Sequence, residues 1–147
     1  MRVKDLLKSK KSEVVTVDPH ARVATAAKLL MQHTIGGLPV VGTDGQLVGF
    51  VSERDFVRAV HLRNEGIRDL EVEQIMSRPA PTCHADENLN EVTARMNRDR
   101  LRHIVVLEGE KIVGILSIGD LVKRRVEELE VETGVLRDYV VAQRARG

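Results

Sequence analysis

The chain has 147 residues, 42% of them hydrophobic and 31% charged, enough apolar material for one domain or two very small halves sharing an interior. Lysine and arginine (23) nearly balance aspartate and glutamate (22), leaving a net charge of +1, so no global field draws in nucleic acid or an acidic membrane. The lone Cys83 excludes an internal disulfide, and no apolar run approaches the ~18 residues of a membrane span. Met1-Arg2-Val3-Lys4-Asp5 also lacks the apolar stretch of a secretory leader, so the expected location is cytoplasmic. With aromatics at 2%, a bound base would be held by aliphatic side chains and backbone groups rather than by an aromatic stack.

A short helical leader, Val3–Leu7, opens the chain and a β-branched run, Val14–Val17, predicts the first strand. Val23, Ala26, Ala27 and Leu30 fall at i, i+3, i+4 and i+7 and predict a helix. Two strands, Leu38–Val41 and Leu47–Val51, turn through Thr43-Asp44-Gly45, and a helix starts after Ser52. Polar residues around Asn64–Asp69 form a linker. The same signals then recur: leader Val72–Met76, strand Pro81–His84, and a helix on Leu89, Val92 and Met96 with Asp86 as its expected N-cap. Strands Ile104–Leu107 and Ile112–Leu116 turn through Glu108-Gly109-Glu110, and a helix follows Ser117. Beyond Arg125, residues Val126, Leu129, Leu136, Tyr139 and Val140 predict an amphipathic tail helix, interrupted near Gly134.

The recurrence is a duplication. An offset of 66 carries Val23 onto Leu89, Ala26 onto Val92, Leu30 onto Met96 and Leu38-Pro39-Val40 onto Ile104-Val105-Val106. An offset of 65 then lays Gly49–Asp55 on Gly114–Asp120. The expected fold is α+β, a duplicated β-α-β-β-α repeat with a pseudo-twofold axis between copies. Residues 1–65 form the first repeat, 66–71 the linker, 72–125 the second repeat and 126–147 the helical tail.

Each copy contains G-x-x-S-x-x-D at a strand-to-helix junction. Ser followed three residues later by an acidic residue is a capping box, which satisfies free N–H groups at a helix start. The same helix start offers N–H donors and a positive dipole end to a phosphate. Ser52 or Ser117 can add a hydroxyl, and Asp55 or Asp120 can accept from both hydroxyls of a ribose. Both roles stay open at this point.

Val17-Asp18-Pro19, Ile35-Gly36-Gly37-Leu38-Pro39-Val40-Val41, Gly49–Asp55, Arg102-His103-Ile104-Val105-Val106 and Gly114–Asp120, in this order, resemble a pair of cystathionine-β-synthase (CBS) domains, together called a Bateman module. The resemblance covers roughly residues 3–125. It implies a pseudo-dimer of repeats with two clefts for an adenosine-containing ligand: AMP, ADP, ATP or NAD, ahead of S-adenosylmethionine. By position it gives ribose to Asp55 and Asp120, phosphate or ribose to Ser52 and Ser117, and the nucleoside to Thr16 and Thr82. It further implies a homodimer, and a regulatory rather than catalytic role on a separate enzyme or transporter.

The copies differ where a ligand would sit. Gly36-Gly37 in the first stand where the second has Arg102-His103, which resemble phosphate-contacting residues of the family. His103 is equally readable as a partly buried histidine satisfied by backbone. Arg54 would reach a phosphate or solvate its helix start. Two unequal clefts are therefore expected. Cys83 reads as an inert core thiol, His20, His33, His61 and His84 lack metal-ligand spacing, and no catalytic constellation is present. The alternative function is a structural dimerisation module with empty clefts, its motifs only capping helices.

Overall fold

The computed structural model describes residues 1–10, 13–63 and 65–146; Asn64 at the edge of the expected linker and Gly147 at the end of the expected tail lie outside them. Helix α1 (Val3–Ser9) is followed by α2 (Val23–His33), the hairpin β1 (Gly37–Val41) and β2 (Leu47–Ser52), and α3 (Glu53–Leu62). Two 3₁₀ turns, Ile67–Asp69 and Val72–Gln74, lead to β3 (Thr82–His84), α4 (Leu89–Asp99), the hairpin β4 (His103–Glu108) and β5 (Lys111–Ser117), and α5 (Ile118–Arg146). The fold is α+β, with one sheet of order β1-β2 and another of order β3-β4-β5. Among the described residues no helix is long and apolar enough to cross a membrane.

Two cores repeat residue for residue. Val17, Val23, Ala26, Leu30, Leu38, Val40 and Val51 line the first; Cys83, Leu89, Val92, Met96, Ile104, Val106 and Leu116 line the second. Each is completed by the leader of the other half. Val3 and Leu6 sit in the second core, where Val3 N donates to Glu87 O (3.0 Å) and Lys4 N to Ala85 O (2.9 Å). Val72 and Ile75 sit in the first, where Val72 N donates to Ala21 O (2.8 Å) and Glu73 N to Pro19 O (2.9 Å). Hydrophobic pattern alone could not show this, because the two leaders present the same apolar face.

The motif glycines are where the leaders cross. A Cβ on Gly49 would lie 2.7 Å from Met76 Sδ and 2.8 Å from Ser77 O, and one on Gly114 would lie 2.8 Å from Leu7 Cδ2. Ser77 pairs there with Phe50, donating to its carbonyl at 2.8 Å and accepting from its N–H at 2.9 Å.

Three expectations are corrected. The run Val14–Val17 is no strand: only Val17 bridges to Val40. In the second repeat Val105 N donates to Pro81 O (2.8 Å), but its counterpart is Pro39, which has no N–H to extend the ladder. The N-cap of α4 is Asn88, whose Oδ1 accepts from Asn90 N (2.9 Å) and Glu91 N (3.3 Å), while Asp86 pairs with Lys4 Nζ at 2.9 Å. Helix α5 also runs unbroken through Gly134 to Arg146, since one exposed glycine costs a helix only about 1 kcal/mol.

Gly49→Ala should therefore destabilise the protein by about 1–3 kcal/mol through overpacking. Gly134→Ala, with nothing within 4 Å of its Cβ, should stabilise by roughly 0.5–1 kcal/mol. Urea unfolding measures both, and a Gly49→Ala variant as stable as the parent contradicts the crossing.

Candidate functional site

Both G-x-x-S-x-x-D motifs run from a strand into a helix and form capping boxes, in different ways. In the second repeat Ser117 N donates to Asp120 Oδ2 (2.9 Å) and Asp120 N donates to Ser117 Oγ (3.1 Å). In the first, the backbone N–H and the hydroxyl of Ser52 both donate to Asp55 Oδ2, at 2.8 and 3.2 Å.

The crossing leaders then treat the two carboxylates unequally. Ser77 Oγ donates to Asp55 Oδ1 at 2.7 Å and Arg58 Nη1 donates to the same oxygen at 2.9 Å. Both oxygens of Asp55 are occupied, and its side chain is 2% exposed. Asp120 receives Lys10 Nζ on Oδ2 at 2.7 Å, and that ammonium also donates to Ile115 O at 2.8 Å. Its side chain stays 21% exposed, and Oδ1 accepts no hydrogen bond among the described residues. Burial pushes the Asp120 carboxyl up, but Lys10 and the Ser117 amide more than reverse this and hold it below the usual carboxylate range.

The segments before the hairpins join these motifs. Glu53 N donates to Gly36 O (3.0 Å) and Gly37 pairs with Ser52; likewise Ile118 N donates to Arg102 O (3.0 Å) and His103 pairs with Ser117. The structure thus groups Gly36, Gly37, Ser52 and Asp55, and separately Arg102, His103, Ser117 and Asp120. Thr16 and Thr82 are exposed one strand away, on the far edge of the first hairpin strand. Arg54 is exposed and makes no ion pair among the described residues, and Arg58 holds Asp55 instead.

The groups meet at His103. Its ring lies 3.2 Å from the point a Cβ on Gly36 would occupy, with Glu53 Oε1 3.3 Å from that point, and its centroid is 5.4 Å from that of Phe50. A Cβ on Gly37 would overlap the Phe50 ring. Both glycines therefore make room for rings at the contact between repeats. Burial pushes the His103 imidazole below 6.5, with Glu53 opposing and Lys10 reinforcing, so the ring is neutral at neutral pH. A cavity of about 70 Å³ is lined by Lys10, the partner of Asp120, and by Glu13, Val14 and Gly114 among others. Ligand pockets are roughly 300–1,000 Å³, so a nucleotide needs this region to open.

Lys10, Arg58 and Ser77 were not expected at the site. Arg58 was detectable as an i+3 partner of Asp55. Ser77 and Lys10 arrive by the leader exchange, which leaves no local signal. Of the other candidates, Cys83 is buried and its thiol is pushed up to about 11 by burial, and His20 forms exposed pairs with Glu71 (3.6 Å) and Glu73 (3.7 Å).

Asp55→Ala strands the hydroxyl of Ser77 and should cost about 1–3 kcal/mol, more than Asp120→Ala, measured by denaturant unfolding. The His103 imidazole titrates lower folded than unfolded, so its contribution is intact above an unfolded value of about 6.5 and is lost as pH falls below it. Stability should drop between pH 7 and 5.5, and His103→Gln should flatten that drop; parallel pH profiles would refute the assignment.

The family model for the CBS domain matches residues 3–62 and again 72–127. A CBS-domain containing protein from Agrobacterium tumefaciens is 36% identical, with a TM-score of 0.79 over 84% of this chain and 92% of that one. A CBS domain protein from Pyrobaculum aerophilum, complexed with AMP, is 28% identical with a TM-score of 0.77 over 90% and 99% of the two chains. A CBS domain pair in complex with 5′-methylthioadenosine and S-adenosyl-L-methionine is 28% identical with a TM-score of 0.76 over 87% and 98%. The chain spans 74% and 59% of the length of two curated relatives, from Acidianus ambivalens and Arabidopsis thaliana, 28% and 30% identical. Two copies of one fold, matched by one family model twice over, establish that the chain belongs to the CBS-domain family as a tandem pair.

Proposed function

We propose that this CBS pair is a regulatory module that binds an adenosine-containing nucleotide (AMP, ADP, ATP or NAD) at the second repeat. The observation that carries this reading is the inequality of the motif carboxylates: Asp55 is internal, whereas Asp120 is partly accessible with one oxygen unshared among the described residues. A ribose hydroxyl donates to that oxygen, Thr82 and Ser117 supply hydroxyls, and Arg102, Lys10 and the His103 N–H face the phosphates. Cations at this position favour phosphate-bearing ligands over S-adenosylmethionine. The AMP complex of the Pyrobaculum relative supports the ligand class. On this reading the first motif is structural.

A second ribose hydroxyl reaching Oδ2 competes there with Lys10 and frees its ammonium for the phosphates. Lys10 lies on the stretch joining α1 to the first repeat, so the nucleotide acts on the leader that ties the halves together. A state with Lys10 displaced is favoured by ligand and disfavoured without it, which is the differential affinity that control requires. The signal goes to a separate enzyme or transporter in the cytoplasm.

A thermal-shift series with AMP, ADP, ATP and NAD tests the reading. Ligand at ~100 times its Kd stabilises by about 2.7 kcal/mol, roughly 5–10 °C for a domain of this size. Asp120→Ala should abolish the shift, and Asp55→Ala should lower the baseline but keep it. No shift with any of the four would instead support a dimerisation module with empty clefts.

A further inference from the structure

We propose that α5 pairs in parallel with the α5 of a second copy of this chain, as a short two-stranded coiled coil beyond the second repeat. This is independent of the nucleotide reading. Helix α5 turns one side home through Leu121, which packs on the second core. A separate face carries Val122, Val126, Leu129, Thr133, Leu136 and Val140, spaced alternately four and three residues apart. That is a heptad seam, which stays in register with a partner helix where a straight 3.6-residue stripe drifts away. None of the described residues covers it: Val122 is 55% exposed, Leu129 44% and Leu136 64%.

Three features select a second copy, in parallel. The a positions, Val126, Thr133 and Val140, are all β-branched, and the d positions include Leu129 and Leu136, the choice that favours parallel dimers. The g and e positions are complementary between copies: Arg125 meets the partner's Glu130, and Glu132 meets the partner's Arg137. By symmetry each pair forms twice. A groove of about 390 Å³ follows Val126, Leu129, Glu130, Thr133, Gly134 and Arg137, mostly a, d and e positions, where a facing side chain can seat.

Sedimentation of the full chain should show a concentration-dependent dimer. Leu129→Asp with Leu136→Asp should leave a monomer of unchanged helicity, because both residues are solvent-exposed within one chain. Glu132→Lys should weaken association roughly tenfold by replacing two attractive pairs with repulsive ones, and adding Arg137→Glu should restore it. Val140→Cys should cross-link to itself on oxidation, since in-register parallel helices bring the two copies of that position together and Cys83 is buried. A monomeric parent protein, a dimer that survives the double aspartate variant, or cross-linking only when Val122→Cys and Val140→Cys chains are mixed would each overturn the proposal.

Discussion

Val3 and Leu6 finish the core that the second repeat builds, and Val72 and Ile75 finish the core built by the first. Burying an aliphatic side chain contributes about 1.5–3 kcal/mol, so these four contribute roughly 6–12 kcal/mol together. The net stability of a domain is ~5–15 kcal/mol. Removing either leader therefore removes a large share of what keeps its host folded. The close approach behind this contact needs glycine at position 49, where a Cβ would meet the Ser77 carbonyl, whereas at 114 it would meet only the movable end of Leu7; the first residue of the first motif thus serves packing before it serves any ligand.

The exchange also makes near-identical motifs chemically unequal. Ser77 and Lys10 arrive on equivalent segments, but one is a neutral hydroxyl and the other an ammonium. With Arg58 beside it, Asp55 is enclosed as part of the interior, while Asp120 stays partly exposed, held by the Ser117 amide and one flexible lysine. Symmetry of the backbone thus coexists with asymmetry of environment at the two carboxylates, and the break comes from residues outside both motifs.

Much of the fold was legible because a duplicated chain states its pattern twice: every core position from Val23 to Val51 has a counterpart in register in the second repeat. The exchange was not legible, since an apolar face declares that it will be buried but not against which half. The missing strand at Val14–Val17 hinges on Pro39, a proline whose pairing partner lies more than 20 residues away in the chain. Asp86 and Asn88 are both capping residues by type, and only the turn between β3 and α4 chooses between them. At the site, the groups Gly36-Gly37-Ser52 and Arg102-His103-Ser117 followed from strand pairing, but how each aspartate is held depended on contacts distant in sequence.

The order of synthesis gives the exchange a temporal side. The first repeat is closed by the residues that follow it, whereas the second is closed by α1, made about 80 residues before its partners Ala85 and Glu87. At ~5–20 residues per second, α1 waits on the order of 4–16 s with Val3 and Leu6 uncovered. Seven residues are too few for a stable helix in water, so through that interval the segment has no structure of its own. On the ribosome the first core therefore closes before the second, an order that refolding from denaturant, where both leaders are present from the start, does not impose.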